Sequence, residues 1–118
     1  MKTKSVNHIV LTGRLTENAS SSKKDTYARF GIAHNVGPEP FFLNCVFFAN
    51  KGRKNEREIP WDKLTKGNML LLEGSLKPNV YVNQDTGEQR RSLEFLVNKI
   101  SEPEIVEDNV PDDDNDEE

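Results

Sequence analysis

The stretch Phe41 to Lys51, Phe-Phe-Leu-Asn-Cys-Val-Phe-Phe-Ala-Asn-Lys, constrains this chain most. In an extended strand side chains alternate between two faces, so Phe41, Leu43, Cys45, Phe47 and Ala49 share one side and form a wholly apolar, core-seeking face. Phe42, Asn44, Val46 and Phe48 share the other, two aromatics flanking an amide. A strand apolar on both faces is usually buried on both. A chain of 118 residues has little material for a second cover. Two readings follow: a loop or partner subunit covers the second face, or its aromatics stay exposed as a platform for flat, stackable groups such as nucleic-acid bases.

The length allows one small domain with one core. No run of 18 apolar residues and no apolar N-terminal segment is present, so the chain is expected to be soluble, without a membrane partner, and not obviously exported. Cys45 is the single cysteine. On the core-facing parity of its strand it reads as a small buried hydrophobe rather than a nucleophile, and its isolation fits a reducing compartment.

The net charge of −4 conceals a division. Residues 101–118 carry ten acidic side chains and no basic one. Residues 1–100 carry all sixteen basic side chains against ten acidic ones, a net +6. A basic fold followed by an acidic tail points to a nucleic-acid binder; the alternative is a solvated surface with a solubilising appendage. The basic balance nominates Arg14, Arg29, Lys51, Arg53, Lys77, Arg90 and Arg91 as phosphate contacts.

Five strands are legible. Val6 to Leu15 alternates, and Gly13 within it predicts a bulge or sharp bend. Asn18 to Lys24 reads as loop. Tyr27 to Val36 turns Ala28, Phe30 and Ile32 inward and Tyr27, Arg29, Gly31 and Ala33 outward. Val36 to Pro40 reads as a turn, because two prolines and a glycine oppose a regular ladder. The Phe41 strand follows. Pro60 to Leu64 predicts one helical turn at most, with Trp61 as a plug on a barrel end and Gly67 as the stop. Asn68 to Leu76 is a fourth strand. Lys77 to Arg91 forms the tip of a long hairpin, with Asn83 to Gly87 at the turn. A fifth strand ends near Ile100, with Leu93, Phe95 and Val97 facing the core. From Ser101 the composition cannot bury a core and predicts disorder. Residues 1–100 are thus expected as one domain and 101–118 as an acidic tail. Five strands, a short helical turn between the third and fourth, and a protruding last hairpin match an all-β OB-fold, a five-stranded Greek-key barrel.

At this point a family becomes apparent. Val6-Asn7-His8-Ile9-Val10-Leu11-Thr12-Gly13-Arg14-Leu15 resembles the opening strand of bacterial single-stranded-DNA-binding proteins, where Val-Asn-Lys-Val-Ile-Leu-X-Gly-Asn-Leu is typical. Ala28 to Ala33 and Phe42 to Phe48 are similar to its second and third strands. Leu64-Thr65-Lys66-Gly67 through Leu72-Glu73-Gly74-Ser75-Leu76 resembles its Leu-X-Lys-Gly…Val-Glu-Gly-X-Leu block, and Asp85-Thr86-Gly87 with Arg90 fits its hairpin. The resemblance covers nearly all of residues 6–100 in order. It implies sequence-independent binding of single-stranded DNA in replication, recombination or repair, with base-stacking aromatics at Phe42, Phe48 and, on the hairpin, Tyr81. It also implies a homo-oligomer, tetramer or dimer, in a bacterial cytoplasm at the nucleoid. Alternation alone already puts Phe42 and Phe48 on one face.

Departures from the family pattern lie at His8, which replaces a usual Lys, at Val36 to Pro40, which lacks an aromatic many relatives carry, and before Trp61, where a polar excursion replaces a longer helix. The tail closes on Asp116-Glu117-Glu118, where relatives usually carry a short apolar tip that docks repair and replication proteins. These departures favour an alternative: a protein-interaction or assembly module with weakened nucleic-acid binding. An enzyme is disfavoured, because only His8 and His34 are available and neither has metal-ligand spacing. No catalytic residue, metal or cofactor is expected, and His34 reads as structural.

Overall fold

The computed structural model describes residues 2–21 and 24–105. Among the described residues six strands are present: β1 (Ile9–Leu15), β2 (Ser20–Ser21), β3 (Tyr27–Val36), β4 (Glu39–Phe48), β5 (Met69–Val82) and β6 (Gln89–Ser101). Their hydrogen-bonded order is β1-β5-β6-β4-β3, and β1 pairs again with β3 to close a five-stranded barrel. The two-residue β2 hangs on β3, through Ser20 opposite Arg29 and Ser21 opposite Ala28. All pairings are antiparallel except β4 with β6, where Cys45 meets Phe95 and Val46 meets Leu96. This closed all-β barrel is consistent with an OB-fold.

The inward parity expected for the second strand holds: Ala28, Phe30 and Ile32 on β3 are buried. They meet Leu15, Cys45, Phe47, Leu70, Leu72, Phe95 and Val97 in one core. Each fully buried Leu or Phe contributes about 1.5–3 kcal/mol by leaving water.

Several expectations are corrected. Residues 60–68 form successive turns, with the Lys63 amide donating to the Pro60 carbonyl and Leu64 to Trp61, and no helix is present among the described residues. The barrel-end plug is Ile59 and Leu64, both buried, while Trp61 stays about one-third exposed. Pro40 lies inside β4, opposite Asn35. Antiparallel ladders include positions whose N–H faces away from the partner, and proline's missing donor costs nothing there. Phe41 and Leu93 have core parity yet are 41% and 58% exposed. Both hairpins run past the end of the barrel, where the inward side has no core beneath it. The acidic-tail expectation lies outside the described residues from 106 onward. Ser101 still pairs with Leu71, and Glu102 lies 3.4 Å from Lys63.

Glycine placement has a different cause from the one expected. β1 carries no bulge at Gly13, which pairs regularly with Leu70. A Cβ there would stand 2.5 Å from Ile32 Cδ1, so the position is a close approach across the core. The register shift lies instead in the β5–β6 pair, where consecutive Glu73 and Gly74 meet Lys99 and Val97 and the extra residue, Asn98, is on β6. There the Leu96 carbonyl oxygen would be 2.0 Å from any Cβ on residue 74. Backbone cannot yield as a flexible side chain does. Gly74→Ala is therefore expected to destabilise the fold by about 3 kcal/mol, the upper end of overpacking costs, read as a lower urea midpoint at unchanged slope.

Candidate nucleic-acid interface

Paired residues on adjacent strands point to the same side of a sheet, so the registers define the outer face. One row runs Arg14 (β1), Ala33 (β3), Phe42 (β4). The next pairs Gly31 with Asn44. A third runs Arg29, Val46, Leu96 and Ser75 across β3, β4, β6 and β5. Tyr27 and Phe48 close one end, their rings edge to face at 5.8 Å. On the β5–β6 hairpin the same side carries Lys77 with Glu94, Asn79 with Ser92, and Tyr81 with Arg90. Six of the expected residues therefore share this face with Arg14: Arg29, Phe42, Phe48, Lys77, Tyr81 and Arg90.

Their accessibilities differ. Phe42 is 69% exposed and Tyr81 52%. Phe48 is half-buried beside Tyr27. Val46, on the same face, is fully buried, so the outer face is covered at its centre and open at its ends. Arg91 lies on the opposite side of the hairpin, with exposed Val80, Val82 and Leu93. Lys51 and Arg53 lie in the turns after β4, with Lys51 Nζ donating to the Lys24 carbonyl at 3.3 Å. Arg14 Nη1 donates to the Gly67 carbonyl at 2.7 Å.

Sequence reasoning missed Glu94, which is 2% exposed on this cationic face. Its Oε2 accepts from Arg29 Nη1, and Oε1 lies 3.1 Å from Lys77 Nζ. That second contact is an ion pair outside hydrogen-bond alignment, so Oε1 has no hydrogen bond. One carboxylate thus gathers cations from β3 and β5, and Arg29 and Lys77 are partly neutralised where they stand. The legible signal was an acid among apolar neighbours, Leu93-Glu94-Phe95-Leu96. A second missed residue is Arg57. Its Nε donates to the Phe48 carbonyl at 2.9 Å, Nη1 reaches the Asn98 carbonyl, and the guanidinium stacks 4.0 Å from the Phe47 ring centroid. It ties the end of β4 to the end of β6, and burial lowers its pKa.

Cys45 is buried, and its thiol is pushed up to about 12 by burial and then by the nearby Glu94 charge. A thiol held protonated at neutral pH is a poor nucleophile. Among the described residues no cluster of three or more His, Cys, Asp or Glu side chains could hold a metal, and no helix is long and apolar enough to cross a membrane.

A closed all-β barrel with exposed aromatics and cations on one face defines a class of oligonucleotide-binding scaffold. The model of the single-strand binding protein family matches residues 6–102, and the chain belongs to that family. It is 27% identical to a single-stranded DNA-binding protein of Borreliella burgdorferi, over 80% of this chain and 68% of that one. Among solved structures it is similar to a mitochondrial single-stranded DNA binding protein of S. cerevisiae, with a TM-score of 0.60 at 17% identity, covering 83% of this chain and 95% of that one. It is also similar to a Plasmodium falciparum SSB complex with ssDNA, with a TM-score of 0.62 at 18% identity, covering 86% and 97%.

Proposed function

We propose that this protein binds single-stranded DNA without sequence preference, by stacking bases on Phe42 and Tyr81 and holding phosphates with the surrounding cations. The observation that carries this reading is the exposure of Phe42, at 69%, level with Arg14 on the outer face of a barrel of this family. Large rings left in water on a face bearing arginines suit a flat, anionic polymer. Phe48 plays a smaller part, since Tyr27 already covers one side of it. Arg90, Lys51 and Arg53 are peripheral phosphate contacts, and Arg91, on the other side of the hairpin, lies off this face. Protection of single strands in replication, recombination or repair at a bacterial nucleoid follows as the role. A homo-oligomer is part of the same reading: Val10 and Leu71 on the outer side of β1 and β5 give an apolar surface for a second copy.

Phe42→Ala and Tyr81→Ala are each expected to cost ~1–3 kcal/mol of affinity for a labelled dT oligomer, measured by fluorescence anisotropy. A duplex of equal length should bind far more weakly. Equal affinity of both variants and the parent sinks the stacking platform.

Glu94 makes the phosphate side testable. Glu94→Gln keeps the shape and removes the charge that occupies Arg29 and Lys77. The log–log salt slope for dT binding should steepen by roughly 0.7 for each cation that then meets a phosphate. An unchanged slope means those two side chains never reach the nucleic acid.

We further infer that residues 1–100 are the binding unit and 101–118 an acidic competitor for it. Ten carboxylates tethered to the barrel act at an effective concentration on the order of mM, and partner proteins would meet them when DNA displaces them. Truncation after Glu102, which spares the Ser101–Leu71 pairing, should tighten dT binding at low salt, with the gain fading as salt screens the charges. Unchanged affinity at low salt leaves the tail a solubilising appendage.

A further inference from the structure

A cleft opens on the outer face between the segment after β1, strands β3 and β4, and the β5–β6 hairpin. Thr16, Ser20, Gly31, Asn44, Asn79 and Glu94 are among the residues that line it. Gly31 pairs with Asn44, and Cys45 beside Phe95 sets Asn44 level with Glu94, which pairs with Lys77. These four positions form one row across β3, β4, β6 and β5.

The polar groups here are incompletely used. Neither the Asn44 nor the Asn79 side-chain amide has a hydrogen-bond partner among the described residues. Glu94 is buried; its Oε2 accepts from Arg29, while Oε1 has no hydrogen bond. Lys77 Nζ stands 3.1 Å from Oε1 as an ion pair, on a side chain about one-third exposed. At Gly31 a Cβ would stand 3.1 Å from Thr16 Oγ1 and 3.9 Å from Asn44 Oδ1, so the missing side chain leaves that part of the cleft open.

The neighbourhood says what enters. Asn44 lies two residues from Phe42 on the same side of β4, about 7 Å along the strand. The cleft is thus one side-chain step from the most exposed ring of this face. An amide both donates and accepts, so Asn44 and Asn79 match the edge of any base. A carboxylate oxygen only accepts, so Glu94 Oε1 takes a donor and rejects an acceptor. Cytosine and adenine carry a donor amine where thymine carries the O4 acceptor.

We propose that this cleft is a base-edge subsite in which Glu94 Oε1 accepts from the exocyclic amine of a nucleobase, and that it disfavours thymine. This rests on the single-stranded DNA reading above. An entering amine replaces the Lys77 ammonium at Oε1, and Lys77 turns to a phosphate of the same strand. With thymine in the cleft Lys77 stays on Glu94, because a buried carboxylate oxygen facing O4 without a donor is costly. Arg29 holds Oε2 in both cases. The preference acts at one position along the strand, so a strand of any sequence is still held by the exposed rings and the remaining cations.

The full chain is titrated at neutral pH with a labelled 5-methyl-dC oligomer and a dT oligomer of equal length, at several salt concentrations. The two bases share the methyl group and the two strands share the backbone, so the ratio of affinities reports the base edge. The parent should bind the 5-methyl-dC strand about fivefold more tightly, the low end for one base contact. Its log–log salt slope should be steeper on that strand by roughly 0.7, the share of Lys77. Glu94→Gln, whose amide donates as well as accepts, should bring the two affinities and the two slopes together. Gly31→Ala, which narrows the cleft and leaves Glu94 with its cations, should also shrink the ratio, a readout that stands even if Glu94→Gln folds poorly. Equal affinity of the parent for both strands, or tighter binding of dT, overturns the subsite and leaves the DNA reading intact. A ratio that survives Glu94→Gln overturns it as well. Failure to bind either strand overturns the DNA reading itself.

Discussion

The barrel depends on one close backbone approach, Gly74 of β5 against the Leu96 carbonyl of β6. β5 must pair with β1 on one side, through residues 69–74, and with β6 on the other, through residues 71–82. The register shift opposite Glu73–Gly74, with Asn98 of β6 left unpaired, fits β6 to that long strand. The extra residue in β6 locally increases twist and bends that strand, which is what closing a five-stranded sheet requires. Only a residue without Cβ allows the two backbones to come this near.

That approach also positions the candidate interface. With β6 held against β5, its other edge lies parallel to β4, Cys45 beside Phe95 and Val46 beside Leu96. The outer faces of β3, β4, β6 and β5 then become one surface. Glu94 lands beneath Arg29 and Lys77, and the hairpin carries Tyr81 outward on the side that holds Phe42. A cationic face with a buried carboxylate at its centre is electrostatically uneven. Its central cations are held by Glu94, while Arg90, opposite Tyr81, pairs with Glu88, and Arg14, in the row of Phe42, donates to the Gly67 carbonyl. Burying an unpaired carboxylate is costly, so Glu94 and its two cations stand or fall together.

Much of this was legible because alternation is a reliable signal wherever a strand covers a core. The parity of Ala28, Phe30 and Ile32 is read correctly from the sequence, and so are the five barrel strands and the shared face of Phe42 and Phe48. The same rule misleads at Phe41 and Leu93. Parity says which way a side chain points, and says nothing about whether anything lies there. Length is the missing information: β5 runs 14 residues and β6 13, more than the barrel wall needs. Glu94 was invisible for the complementary reason. Its burial comes from Arg29 and Lys77, whose proximity is set by strand order rather than by spacing along the chain. The bulge was expected at the wrong glycine because both Gly13 and Gly74 avoid a clash, one with a side chain and one with a backbone carbonyl, and only the second shifts the register.

The overhanging hairpins are where structure passes into function. A strand pair that leaves the barrel keeps its hydrogen bonds but loses its cover, so its apolar side chains stay wet: Phe42 on one side, Phe41 on the other, Tyr81 at the end of β5. Such exposure is unfavourable for a free monomer and persists in folded proteins mainly where something binds. The β3–β4 overhang is the more constrained of the two. His34 pins it to β1 at Thr12, and Phe41 packs on that imidazole, so the ring of Phe42 projects from a strand fixed on both sides. The β5–β6 overhang is held by its own ladder and by Asn83, whose side-chain oxygen accepts from the Asp85 and Thr86 amides in the turn. One exposed ring thus rests on a braced platform and the other on a self-supported arm. On the proposed reading, that combination serves a flexible polymer gripped without regard to sequence, because the arm adjusts to each base while the platform sets the path of the backbone.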